Sequence, residues 1–149
     1  MAYQITEACT GCTACARLCP VFAISGERNN RHEINPKRCL ECGVCARACP
    51  QESLAGAVGR HLTKLPRKEW PKPNIEQAEC SACQMCVDIC TPGALSISLP
   101  QSRGDLAVFA QLNAPNKCVG CGLCAEICPL GIIRMEQPVP QEPKGGATV

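Results

Sequence analysis

Aromatic residues are nearly missing from this 149-residue chain, which has one Trp, one Tyr and two Phe. A small chain so poor in large apolar side chains cannot rely on an apolar core alone. Long apolar runs are missing as well. No stretch of about 18 apolar residues occurs, so no membrane span is expected. Histidine is limited to His32 and His61, and neither has the spacing of a metal ligand. There is no nucleotide-binding glycine fingerprint, no phosphate loop and no nucleophile–base pair, so the chain is not expected to be an enzyme by itself. Met1-Ala2-Tyr3-Gln4 carries neither a secretory nor a twin-arginine pattern, and the expected location is the cytoplasm.

Against these absences stand 16 cysteines, all of which fall into one spacing used four times. Cys9, Cys12, Cys15 and Cys19 read C-x2-C-x2-C-x3-C, and Pro20 follows. Cys39, Cys42, Cys45 and Cys49 repeat it before Pro50, and Cys118, Cys121, Cys124 and Cys128 before Pro129. Cys80, Cys83, Cys86 and Cys90 repeat it with Thr91 inserted ahead of Pro92, which puts the local backbone path in question. Three thiolates two residues apart let a short loop wrap one face of a cubane iron–sulfur cluster, and a fourth must come from elsewhere. A disulfide framework fits the cysteine content, but nothing marks the chain for secretion. Zinc sites use separate C-x2-C pairs and have no use for the third cysteine. A redox C-x-x-C motif does not need four overlapping triplets. Iron and sulfur is the reading, with zinc as its alternative.

Each half of the chain resembles a bacterial two-cluster ferredoxin, over residues 1–57 and 73–136. The resemblance implies an α+β fold of two tandem ferredoxin-like lobes, with short strands and short helices around four [4Fe–4S] clusters. Residues 58–72 would be a proline-rich linker and 137–149 a tail. In that family the last cysteine of each run ligates the other cluster of the pair. Carried over, Cys9, Cys12 and Cys15 are completed by Cys49, and Cys39, Cys42 and Cys45 by Cys19. In the second half Cys80, Cys83 and Cys86 pair with Cys128, and Cys118, Cys121 and Cys124 with Cys90. Ligand exchange between the halves is an alternative pairing. A helix running from Cys15 to Cys19 would set those sulfurs about 6 Å apart along its axis, one for each cluster.

Along the chain, Tyr3-Gln4-Ile5-Thr6 reads as a short strand, and Ser53 to Val58 as a short strand or helix. Ala23-Ile24-Ser25 and His32 to Asn35 flank a polar turn and read as a hairpin. Leu95 to Leu99 and Ala107 to Leu112 read as a longer one, a candidate docking element. Tyr3 and Phe22 are expected to cover clusters. Gly11, Ala14, Gly43, Gly120 and Gly122 are expected to let backbone N–H groups approach sulfur. Pro66, Pro71 and Pro73 around Trp70 predict a stiff strap, with the Trp as its anchor and the basic residues beside it as a candidate docking strip. The proline-rich tail has no face to bury.

The formal charge of +2 counts cysteines as neutral. Four oxidised clusters at about −2 each bring the loaded chain to roughly −6, so nucleic acid is not an expected partner. Arg17 and Arg47 in the first half answer to Asp88 and Glu126 in the second, which predicts higher potentials in the first half. The chain also resembles the small iron–sulfur subunits of tungsten aldehyde oxidoreductase, formate dehydrogenase and hydrogenase complexes. That implies electron relay between a catalytic subunit and a flavin subunit or ferredoxin. A free, diffusible low-potential polyferredoxin is the alternative, and a structural or sensory cluster role the third. Head-to-tail self-association would join such relays into a longer wire.

Overall fold

The structure is a computed structural model and describes residues 2–56 and 63–138. The elements are short because four cysteine loops interrupt them. In the first half they are β1 (Gln4–Ile5), α1 (Ala14–Leu18), β2 (Ile24–Ser25), β3 (Glu33–Ile34), α2 (Val44–Ala48) and β4 (Leu54–Ala55). β1 pairs antiparallel with β4, Ile5 opposite Leu54, and β2 with β3, Ile24 opposite Ile34.

The second half repeats the plan. Its elements are β5 (Lys72–Ile75), α3 (Met85–Ile89), β6 (Leu95–Ile97), β7 (Ala110–Leu112), α4 (Leu123–Ile127) and β8 (Ile133–Glu136). β5 pairs antiparallel with β8, and β6 with β7. Both expected hairpins are therefore present, trimmed at their ends. β5 differs from the sequence reading, which left Lys72 and Pro73 in or beside a strap. Pro73 stands opposite Met135 in the ladder. A two-stranded sheet has only edge strands, so a residue without an N–H is tolerated there.

Five-residue helices have no stability of their own in water. Here α1 packs on α2 and α3 on α4. Around the first pair lie Ile5, Ala23, Ile24, Ala46 and Leu54, with Cys15, Cys19, Cys45 and Cys49 among them. Around the second lie Leu95, Ala110 and Ile133 with Cys86 and Cys124. Cysteine is thus core material in both halves.

A third apolar cluster joins the halves. Val44 on α2, Val119 in the loop before α4 and Trp70 from the intervening strap are all buried, Trp70 to 3% exposure. The Trp70 indole N–H donates to the Leu65 carbonyl at 3.0 Å, closing the strap on itself. Its ring lies under two cations, Arg67 at 5.2 Å and Arg47 at 5.8 Å. The strap is also tied to the first half, where the Leu65 N–H donates to the Arg47 carbonyl at 3.2 Å. Trp70 is a packed anchor, as its isolation in the sequence suggested. Val58 and His61, and the tail from residue 139, lie outside the described residues. Among the described residues no helix is long and apolar enough to cross a membrane.

Candidate metal centres

Each run of cysteines bends the same way. The second residue after the first cysteine is left-handed in all four runs: Gly11, Glu41, Ala82 and Gly120, with φ of 70, 54, 54 and 68°. So is the residue after the second cysteine: Thr13, Gly43, Gln84 and Gly122, at 66, 75, 67 and 81°. The latter four residues are the N-caps of the helices, and none makes a side-chain capping bond. Left-handed residues turn successive N–H groups inward to form a concave, anion-binding surface. The Val44 N–H is thereby aimed at Cys42 and the Leu123 N–H at Cys121, each favouring the thiolate.

The exits are equally uniform. The third residue beyond the fourth cysteine, Phe22, Glu52, Gly93 or Gly131, is left-handed too. Its N–H donates to the carbonyl of that cysteine at 2.9–3.4 Å. Thr91, standing where the other runs have proline, therefore leaves the path unchanged. One residue later the chain donates to sulfur itself. The Ala23 N–H meets Cys19 Sγ at 3.3 Å, the Ser53 N–H meets Cys49 Sγ at 3.4 Å and the Ala94 N–H meets Cys90 Sγ at 3.3 Å. Ser53 Oγ adds a contact of 3.2 Å to Cys49 Sγ, and the Ala110 N–H meets Cys80 Sγ at 3.3 Å.

Four cavities result, and each is walled by four cysteines. The first holds Cys9, Cys12, Cys15 and Cys49. The second holds Cys19, Cys39, Cys42 and Cys45. The third has Cys80, Cys83, Cys86 and Cys128, and the fourth Cys90, Cys118, Cys121 and Cys124. Every fourth cysteine thus stands with the triplet of the other run in its own half. Among the described residues no three Cys, His, Asp or Glu side chains gather tightly enough for a single metal ion. Tetrahedral zinc draws its sulfurs to about 2.3 Å from one centre. Quartets set around a wider space fit a polynuclear cluster instead.

The electrostatics of the thiols agree. Burial pushes Cys15 up to about 11, and Cys45 and Cys124 up to about 12, with neighbouring sulfurs adding to each rise. Burial likewise raises Cys42, Cys86 and Cys121. Such thiols keep their protons at neutral pH unless a cation takes the proton's place, which is what ligated iron does.

Two residues singled out in the sequence, Tyr3 and His32, stand in the walls, and Phe22 does not. Tyr3 lines the second cavity, and its hydroxyl donates to the Glu41 carbonyl at 3.1 Å. Phe22, expected to act alike, is 62% exposed. The left-handed backbone after Pro20 turns its side chain outward. His32 is 1% exposed and lines the first cavity. Its Nδ1 lies 3.1 Å from the Asn30 carbonyl and so carries the proton, while Nε2 has no partner among the described residues. Nothing in its spacing marks it, because it stands just before β3 and not in a cysteine run.

The two inner cavities meet across the halves. Cys42 of the second is close enough to Cys121 of the fourth to raise its pKa, and both sulfurs act on Arg47. The Thr91 hydroxyl donates to the Pro20 carbonyl at 2.9 Å, linking the residues that follow Cys90 and Cys19. The outer cavities reach solvent through exposed Cys12 and Cys83.

A family model described as a 4Fe-4S dicluster domain matches residues 8–53 and again residues 79–132. A second model of the same description matches residues 31–91, across the junction of the halves. No curated protein matches the chain. Among solved structures, a chain of the formate dehydrogenase–heterodisulfide reductase–formylmethanofuran dehydrogenase complex from Methanospirillum hungatei is similar at 20% identity and a TM-score of 0.46. The match covers 91% of this chain and 51% of that one, so this chain spans about half its length.

Proposed function

Because this chain belongs to the 4Fe-4S dicluster domain family and carries four [4Fe–4S] clusters, we propose that it is an electron-relay subunit of a larger oxidoreductase. Bound clusters supply one-electron redox centres; the chain holds, spaces and shields them. The ligand sets of this reading are the four cavity quartets: Cys9, Cys12, Cys15 and Cys49; Cys39, Cys42, Cys45 and Cys19; Cys80, Cys83, Cys86 and Cys128; Cys118, Cys121, Cys124 and Cys90.

One observation carries the reading. The four cages form a series rather than two separate pairs, because the second and fourth abut through Thr91 and the loop holding Val119. The order first, second, fourth, third leaves an exposed cysteine at either end, Cys12 and Cys83. A relay needs an entry and an exit, and this order supplies both. At the Cys83 end, Met85 is 41% exposed and Leu130 51%, and both line the third cavity. Their apolar surface beside a cage suits a docked redox partner.

In this reading residues 1–57 and 73–136 are the two cluster-bearing domains, 58–72 the linker and 137–149 the tail. The partners are a catalytic subunit, of the tungsten or molybdenum aldehyde oxidoreductase type, and a flavin subunit or ferredoxin. The setting is cytoplasmic, and head-to-tail contacts between copies would lengthen the wire. The second reading is a diffusible low-potential polyferredoxin, favoured by the same two exposed ends. Anaerobic purification of the native protein decides between them. A complex that survives size exclusion and contains a catalytic subunit supports the relay; a monodisperse species of 15.9 kDa supports the carrier.

A further inference from the structure

Arg17 and Arg47 occupy the same place in their cysteine runs, yet the fold gives them different surroundings. Arg17 is exposed and turns back on its own helix, reaching Thr13 Oγ1 at 3.0 and 3.2 Å. Arg47 is half-buried where the halves meet. Its Nη2 donates to the Val119 carbonyl at 3.2 Å and the Gly120 carbonyl at 2.9 Å, both inside the loop between Cys118 and Cys121. Its guanidinium lies against Trp70, and its Nε is buried without a partner among the described residues.

The charges that act on Arg47 come from both inner cages. The largest are Cys42, Tyr3 and Cys45 on its own side and Cys121 across the junction. Lys72 adds a second cation nearby, donating from Nζ to the Cys118 carbonyl at 2.7 Å. Asp88 and Glu126, the acidic counterparts in the second half, are exposed. Water and salt screen exposed charges strongly and buried ones much less. The cation between the inner cages therefore outweighs the carboxylates outside.

We infer that Arg47 is a positioning residue that joins the inner cages and raises their reduction potentials above those of the outer two. Reduction adds one negative charge to a cluster, and a fixed cation nearby stabilises the reduced form. The division this produces runs inner against outer, instead of first half against second. An electron entering at either end falls to the middle pair, which then acts as the store that the two exposed ends draw on. The inference rests on the ligand sets proposed above.

The test is an EPR-monitored redox titration of the fully loaded protein, kept anaerobic. Arg47→Gln is expected to disfavour reduction of two of the four clusters at least tenfold, about 59 mV per one-electron couple. The other two midpoints stay in place, and Arg17→Gln moves none. Arg47→Lys, which keeps the charge but not the planar fork, is expected to recover part of the shift. Unchanged midpoints in a loaded Arg47→Gln protein overturn the inference, as does an equal shift of all four.

A second measurement does not depend on that variant folding. Cys42→Ser and Cys121→Ser are expected each to alter one of the two highest-potential signals, and Cys12→Ser and Cys83→Ser one of the two lowest. An altered highest-potential signal in Cys12→Ser or Cys83→Ser sinks the inner–outer division. The ligand sets fail separately, if Cys42→Ser and Cys19→Ser disturb different clusters.

Discussion

Gly120 and Gly122 are two residues apart in one cysteine loop, and both are left-handed, at φ of 68 and 81°. An alanine at either position carries the same backbone penalty of about 1–2 kcal/mol. The surroundings differ. A Cβ on Gly120 would stand 2.5 Å from the Pro71 carbonyl oxygen and 2.9 Å from Pro71 Cγ. One on Gly122 meets nothing nearer than Met135 Cγ at 3.8 Å. Ordinary contact begins near ~3.5 Å, so Gly120→Ala must force the strap and the loop apart by about 1 Å. Overpacking of that kind costs about 1–3 kcal/mol beyond the backbone term. Neither obstacle is the far end of a flexible side chain, so the strain has no easy outlet. Unfolding that releases iron is irreversible, which makes a rate the proper measure. The loaded variants are placed in guanidinium under anaerobic conditions, and the loss of cluster absorbance is timed. Gly120→Ala is expected to lose its clusters at least about fivefold faster than Gly122→Ala, since most of the extra cost should appear in unfolding. Equal lifetimes would refute the claim that the strap is pressed against this loop.

Trp70→Ala removes a ring buried between the halves and is expected to cost about 3–5 kcal/mol, read as a fall in the unfolding midpoint of the loaded protein. Trp70→Phe keeps most of the packing but strands the Leu65 carbonyl, and about 1–2 kcal/mol is expected there. Cys49→Ala is expected to lower the iron content by about a quarter and to remove the cluster held by Cys9, Cys12 and Cys15, leaving the cluster beside Cys45 in place. Asp105 accepts the N–H groups of Gln101 and Ala107, which hold its carboxylate below the usual range. A lowered pKa contributes order that is complete above the ordinary carboxylate range and is lost as pH falls through the lowered value. Amide protection at Gln101 and Ala107, taken relative to the intrinsic exchange rate at each pH, should therefore stay constant from neutral pH down to about 5, and be lower in Asp105→Ala across that range.

The cysteine spacing, both hairpins and β1 could be read directly from the sequence, because each rests on a local pattern. The left-handed positions could be read only in part. Gly11, Gly43, Gly120 and Gly122 announce them, but Glu41, Ala82, Thr13 and Gln84 adopt the same φ with no local signal. In those four the loop overrides the residue's own preference, since closing a cage around four sulfurs fixes the path of the chain. The glycines themselves do different jobs. Gly11 lies against the Asn30 backbone and Gly120 against Pro71, whereas a Cβ on Gly43 or Gly122 would make only ordinary contacts. β5 was hidden by Pro73, which counts against a strand until the partner is known to be a single edge.

What no local pattern encodes is the way equivalent residues part company. Val44 and Arg47 on α2 have counterparts in Ala14 and Arg17 on α1, yet Val44 and Arg47 meet the other half while Arg17 turns back on Thr13. A repeated sequence predicts equivalent faces, and two copies can meet through only some of them. The strap decides which. Leu65 hydrogen-bonds to the end of α2, Trp70 fills the gap between Val44 and Val119, and Pro71 closes on Gly120. Within seven residues the chain passes from the first half to the second at one place. The second and fourth cages are brought together there, and the first and third are left as the ends. In the proposed relay, the order of the cages is therefore set by a segment that carries no cysteine. Moving the strap's anchor, and not any cysteine, is the change that should disconnect the halves while leaving all four clusters in their cages.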